Sequence, residues 1–273
     1  MKTIGTIRAS SCIGLFDCAL SWYYTNIKGI RSPSNGLSAT GTAIHAGTAY
    51  FDEARMNGET PEVSAAVEIT IDALNNPNEE VQWDSVKMHR EMELKAIKLT
   101  TRYCIEIAPT REYVAVELHC PPLNVQTKYG VIKLTGSTDR IRRTEDRRLG
   151  ISDLKSGKMA VKVGFEDHEE AVASTANHHI QLGIYTLLAE EAAQTVFDAP
   201  AEIIGLSTGR NATIAISEVE DVKTALLGTD EVDGMLDMAG KMLKEGFFPP
   251  NPRSILCSKK YCAGYSRCPY KGK

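Results

Sequence analysis

The sequence predicts a mixed α/β (α+β) fold: a helical N-terminal region, a three-stranded meander, a helix, a further strand and a cysteine-rich tail. Three observations predict it. Apolar residues recur at helical spacing before residue 110, short alternating runs begin near Glu112, and three cysteines crowd behind Phe248-Pro249-Pro250. With 273 residues and 42% hydrophobic content the chain can bury one substantial core. The stretches 1–110, 111–215 and 216–273 are therefore expected to form one integrated domain.

In the first stretch Ser38 or Thr40 caps a helix running through Ala43, Ile44, Tyr50 and Phe51. Turn signals at Asn57-Gly58 and Asn75-Asn76-Pro77 close it off from later helices, of which a long one covers 82–106. Strands are expected at 113–119, 130–143 and 148–155, separated by Pro121-Pro122 and by Thr144-Glu145-Asp146. A helix over 174–193 follows, with Ile180, Ile184, Leu187 and Leu188 on one face and His178, Gln181 and Tyr185 on another. After a strand at 201–207 the pattern is helical over 217–246.

A net charge of -4 with 24% charged residues carries no general nucleic-acid signature, so any such site must be a local patch. Two patches qualify: Arg140, Arg142, Arg143, Arg147 and Arg148 around the meander, and Lys259, Lys260, Arg267, Lys271 and Lys273 interleaved with Tyr261, Tyr265 and Tyr270. No apolar run approaches the roughly 20 residues that span a bilayer. The first twenty residues, interrupted by Arg8 and Asp17, lack a secretory apolar region, and a cytoplasmic location is expected. In that reducing setting the seven cysteines are more plausible as metal ligands or core residues than as disulfides.

The chemistry centres on Gly150-Ile151-Ser152-Asp153-Leu154-Lys155. Residues two apart on a strand share a face, so Asp153 and Lys155 meet one pocket. A carboxylate beside an ammonium suits phosphodiester hydrolysis, because the acid can hold a divalent cation and both charges offset what develops on the phosphate. Asp139, at the end of Leu134-Thr135-Gly136-Ser137-Thr138-Asp139, is one hairpin away and can share the cation. Alone, the Asp-x-Lys triplet reads better as a surface ion pair on an edge strand.

Four ordered motifs together resemble the RecB-like branch of the PD-(D/E)xK nuclease superfamily. They are Gly41-Thr42-Ala43-Ile44-His45, the Gly136-x-x-Asp139-x-Ile141 run, Asp153-Leu154-Lys155-x-Gly157-Lys158, and Gln181-x-x-x-Tyr185. The resemblance implies a restriction-endonuclease-like core. It implies Mg²⁺ or Mn²⁺ held by His45, Asp139, Asp153 and the Leu154 carbonyl, with Lys155 positioning the attacking water. Glu117 joins as a strand glutamate, and Gln181 and Tyr185 contact DNA. The implied activity is a metal-dependent exodeoxyribonuclease acting on DNA ends or single strands in recombination, repair or phage DNA metabolism. The alternative is a nucleic-acid-binding scaffold that keeps the fold without cleaving.

Cys257, Cys262 and Cys268 require a fourth ligand for sulfur coordination, and Cys18 is the first candidate, Cys12 the second. The context of Cys18 resembles the N-terminal cysteine segment of AddB-type and CRISPR-associated RecB-like exonucleases, which implies a [4Fe-4S] cluster. Zinc is the alternative. Cys104 and Cys120 are expected as buried fillers.

Overall fold

The computed structural model describes residues 3–162, 170–176 and 178–271; Asn177 of the expected 174–193 helix and Lys273 of the basic tail lie outside them. The chain runs β1 (Thr3–Arg8), α1 (Ala9–Asp17), α2 (Ala19–Asn26), β2 (Ser34–Asn35), α3 (Gly36–Met56), α4 (Val63–Asn75), β3 (Val81–Gln82) and α5 (Val86–Arg102). It continues with β4 (Glu112–Thr127), β5 (Gly130–Arg143), β6 (Leu149–Gly157), β7 (Val161–Lys162), β8 (Val172–Ala173) and α6 (His179–Ala193). β9 (Ala201–Ser207), β10 (Ile214–Val219), α7 (Val222–Leu227) and α8 (Met235–Glu245) precede the tail.

The three alternating runs form the expected antiparallel meander β4–β5–β6, and β9 returns parallel to β6 after α6. Two strands of the main sheet were not foreseen, nor were the short pairs β2–β3 and β7–β8 outside it. β1 lies parallel to β5 in a region expected to be helical, and β10 pairs antiparallel with β9 where the helix over 217–246 was expected to begin. Ile214 and Ile216 alternate with small residues there, the period of a strand. β4 also runs straight through Pro121-Pro122: a register shift between Cys120 and Leu123 accommodates the prolines. β4 pairs only with β5, so the missing amide donors cost no ladder bond on its open edge.

The helix expected over 217–246 is two, α7 and α8, parted at Gly228, where φ is 82°, and other boundaries move by a few residues. Asn35, rather than Ser38 or Thr40, caps α3, its side chain accepting from the amides of Leu37 and Ser38 at 3.1 Å. α6 starts at His179 because Ser174 is tied by its amide to the carbonyl of Ala160, beside the β7–β8 pair.

Side-chain alternation sends the two faces of the sheet to different cores. Ile151, Ile203 and Ala201 pack with α1, α6, α7 and α8 residues, whereas Leu154, Ile204 and Leu206 pack with Ile44, Phe51, Ala96 and Leu99 of α3 and α5. The first of these cores draws on Ile7, Leu15 and Trp22 from the N-terminal stretch and on Val222, Leu226 and Leu236 from the C-terminal one. Among the described residues no helix is long and apolar enough to cross a membrane.

Candidate active site

The site lies where two strands part. β4 occupies one edge of β5 along its whole length, so β1, paired at residues 131–135, and β6, paired at residues 140–143, share the other edge. The stretch 136–139 between them has no partner on that edge. Asp139 sits in this split and fills it with its side chain: Oδ2 accepts the Leu154 amide at 2.9 Å, replacing the ladder bond that divergence removes.

His45 arrives from α3. Gly41, one turn earlier, lets the helix close on β6, since a Cβ there would stand 2.5 Å from Ser156 Oγ. His45 Nε2 then lies 3.0 Å from the Leu154 carbonyl oxygen and Nδ1 lies 3.6 Å from Asp139 Oδ2. The glycine of the Gly136-x-x-Asp139 motif has a packing reason as well. An added Cβ would meet the Tyr185 ring and Ala9 at 3.3 Å and Leu188 at 3.2 Å.

His45, Glu117 and Asp139 each present one donor atom within 4.8 Å of the others, a set that could hold a metal ion. Glu117 is thus brought in from β4, with a left-handed backbone (φ 47°) unusual for glutamate in a strand. Asp153 is buried, and Lys155 Nζ approaches its Oδ2 to 2.5 Å. The Lys155 ammonium is thus the counter-charge of this buried carboxylate. Burial pushes the Asp153 carboxyl up to about 6; the Lys155 charge opposes this and the Asp139 charge adds to it. The burial cost exceeds what Lys155 offsets, and a bound cation would reduce it further.

Gln181 and Tyr185 are not on an exposed polar face, because α6 is buried on nearly every side. Gln181 Nε2 donates to the Tyr185 hydroxyl at 2.8 Å, leaving the phenol proton free to donate onward. Burial, then the charges of Asp153 and Asp139, push the phenol up. His178 is pushed down to about 4 by burial and by Lys155.

The arginines of the meander do not form a free phosphate patch. Arg140 is wholly buried, Arg142 pairs with Glu218 at 2.8 Å, Arg143 with Glu112 at 2.6 Å and Arg148 with Asp146 at 2.7 Å. In the tail Lys260 pairs with Asp84 at 2.7 Å. The wholly buried ion pair of Arg140 with Asp52 was not foreseen, because both residue types read as surface.

Cys18, Cys257, Cys262 and Cys268 line one cavity of about 740 Å³. Cys18 sits at the break between α1 and α2, and the Asn251 amide donates to its sulfur at 3.3 Å. Cys12 instead lies in the core, its thiol pushed up to about 12 by burial. Cys104 and Cys120 are buried.

The model of the PD-(D/E)XK nuclease superfamily matches residues 9–271. No curated protein matches the sequence. The chain is similar to a solved structure named "Putative exonuclease" from Eubacterium rectale, 13% identical with a TM-score of 0.54, covering 92% of this chain and 85% of that one. A structure named "Crystal structure of SSO0001" is also 13% identical, with a TM-score of 0.45, over 100% of this chain and 90% of that one. At such identity the likeness to the first concerns the fold alone. The match over almost the entire chain is decisive: this protein belongs to the PD-(D/E)XK nuclease superfamily, whose members hydrolyse phosphodiester bonds with divalent metals.

Proposed function

We propose that the chain is a Mg²⁺- or Mn²⁺-dependent exodeoxyribonuclease of the RecB-like branch, acting on DNA ends or single strands in recombination, repair or phage DNA metabolism. One observation carries the metal site: the donors of His45, Glu117 and Asp139 converge beside the buried carboxylate of Asp153. An oxygen-rich set with one imidazole fits a hard divalent ion. His45, Glu117, Asp139, Asp153 and the Leu154 carbonyl would hold it. When bound, the ion supplies Lewis-acid polarisation of the phosphate and of the attacking water.

The protein's own groups do the rest. Lys155, tied to Asp153, is placed to orient the water and to offset charge on the phosphate. The Tyr185 hydroxyl, free to donate, and Gln181 contact the DNA strand near the cleft. The three stretches 1–110, 111–215 and 216–273 act as one domain in the cytoplasm, a reading supported by the core they share.

We assign the four cysteines of the cavity to a [4Fe-4S] cluster. The reading rests on the shared cavity of Cys18, Cys257, Cys262 and Cys268; zinc is the alternative, and iron and sulfide analysis of anaerobically purified protein decides between them.

The deciding experiment is degradation of end-labelled linear and circular single-stranded DNA with Mg²⁺ or Mn²⁺. Loss of linear substrate from its ends, abolished by chelator and by Asp153→Ala, is the expected result. Full activity of Asp153→Ala overturns the assignment, and tight DNA binding without turnover favours the non-cleaving scaffold.

A further inference from the structure

Arg140 is buried completely, yet it is next to Asp139 in sequence and reaches three elements of the site. Nε donates to Asp52 Oδ2 at 2.7 Å, Nη1 donates to Glu117 Oε1 at 3.2 Å and to the Asp139 carbonyl at 2.8 Å, and Nη2 contacts Thr48 Oγ1 at 3.4 Å. Thr48 and Asp52 follow His45 by one and two turns of α3. The guanidinium therefore ties together the helix bearing His45, the strand bearing Asp139 and the carboxylate of Glu117. Behind it, Tyr103 OH donates to the same Asp52 oxygen at 2.7 Å and lies 3.1 Å from Tyr113 OH.

If Arg140 served the core alone, Asp52 would be a sufficient counter-charge. Its remaining bonds go instead to the metal-binding side. Glu117 keeps 47% of its side-chain surface and a left-handed backbone, so little besides Arg140 determines where its carboxylate points. A planar fork with five donors suits this work, and a lysine could not reach Asp52 and Glu117 together.

We propose that Arg140 is a positioning residue of the divalent-metal site, holding Glu117 and the Asp139 main chain where they bind the ion and so setting its affinity. The proposal rests on the metal reading above. Groups behind metal ligands typically change affinity by about 10–100-fold when altered.

The test is Mn²⁺ binding to the full chain by calorimetry, with circular dichroism to confirm folding. The wild type binds Mn²⁺ and Asp139→Ala does not; absence of binding to the wild type overturns the metal reading and this proposal with it. Arg140→Lys, which keeps the charge but loses the fork, is expected to weaken Mn²⁺ binding about 10-fold or more. In a Glu117→Gln background the same change should cost clearly less than in the wild type, because the charge-assisted contact to Glu117 is already weakened and only the tie to the Asp139 main chain is left to lose. Should Arg140→Lys fail to fold, Asp52→Asn with and without Glu117→Gln decides by the same criterion. Asp139-dependent binding that is unchanged in the folded variant, or losses that multiply in the double variant, would make Arg140 a core residue and leave the metal site standing.

Discussion

Asp153 is ionisable and buried, and its burial outweighs the opposing charge of Lys155 in setting its pH behaviour. Its carboxyl is raised to about 6 in the folded chain, above the ordinary value of 3.8. A group raised on folding stabilises the protein below its unfolded value, and that contribution is lost as pH rises through about 6. At pH 8 the metal-free fold therefore carries the cost of a buried charge. Asp153→Asn should stabilise metal-free protein at pH 8 by on the order of 1–3 kcal/mol, read as a raised melting midpoint, and should give little gain at pH 4. Mg²⁺ should raise the midpoint of the wild type but not of the variant; a variant that melts lower than wild type at pH 8 contradicts this. Because protons and the cation compete for one carboxylate, the acid limb of nuclease activity should move to lower pH as Mg²⁺ is increased.

At the scale of elements, α3 carries the site because small residues let it approach its neighbours. Gly41 faces Ser156 of β6, and Gly47 faces Thr70 Oγ1 and the main-chain carbonyl of Ala66 on α4. A side-chain hydroxyl can rotate away; a helix carbonyl cannot. Gly47→Ala should therefore force α3 and α4 apart and cost about 1–3 kcal/mol, read as a lowered melting midpoint. Gly14→Ala in α1, whose new Cβ would meet only Trp22 at 3.8 Å, is the control and should melt like the wild type or slightly higher. Equal midpoints for the two variants would show that helix packing does not depend on Gly47.

At the scale of the molecule, the tail returns to the N-terminal helices. The Leu20 amide donates to the Pro249 carbonyl at 3.2 Å, Asn251 Nδ2 to the Asp17 carbonyl at 2.9 Å, and the Tyr23 ring stacks on Phe248 at 4.9 Å. Beyond Phe248 the described tail contains a single short 3₁₀ turn, Tyr265–Arg267, and no α-helix. Its backbone bonds beyond Asn251 are local turn bonds, such as Cys262 to Ser258 and Cys268 to Tyr265, so a bound cluster would add to its stability. Cys18→Ser should lower the iron content of anaerobically purified protein and open the chain after Phe248 to limited proteolysis, followed by mass spectrometry. Unchanged iron and protease resistance would remove Cys18 from the cluster.

The sequence by itself determined what depends on local spacing. Alternation placed Asp153 and Lys155 on one face, hairpin length brought Asp139 beside them, and the glycine-threonine run marked the helix that delivers His45. Cysteine spacing marked the tail, and the meander with its following helix and strand was legible from period alone. Tertiary structure decided what depends on which edge or face meets another. Only the pairing of β1 and β6 on the same edge of β5 opens the split at 136–139, and that choice is not written in either strand. The burial of Gln181, Tyr185 and Arg140, and the turning of Glu117 toward Asp139, likewise follow from packing between distant segments. A side chain's type sets what it can bond, but its burial and partners are fixed only when non-local surfaces close around it.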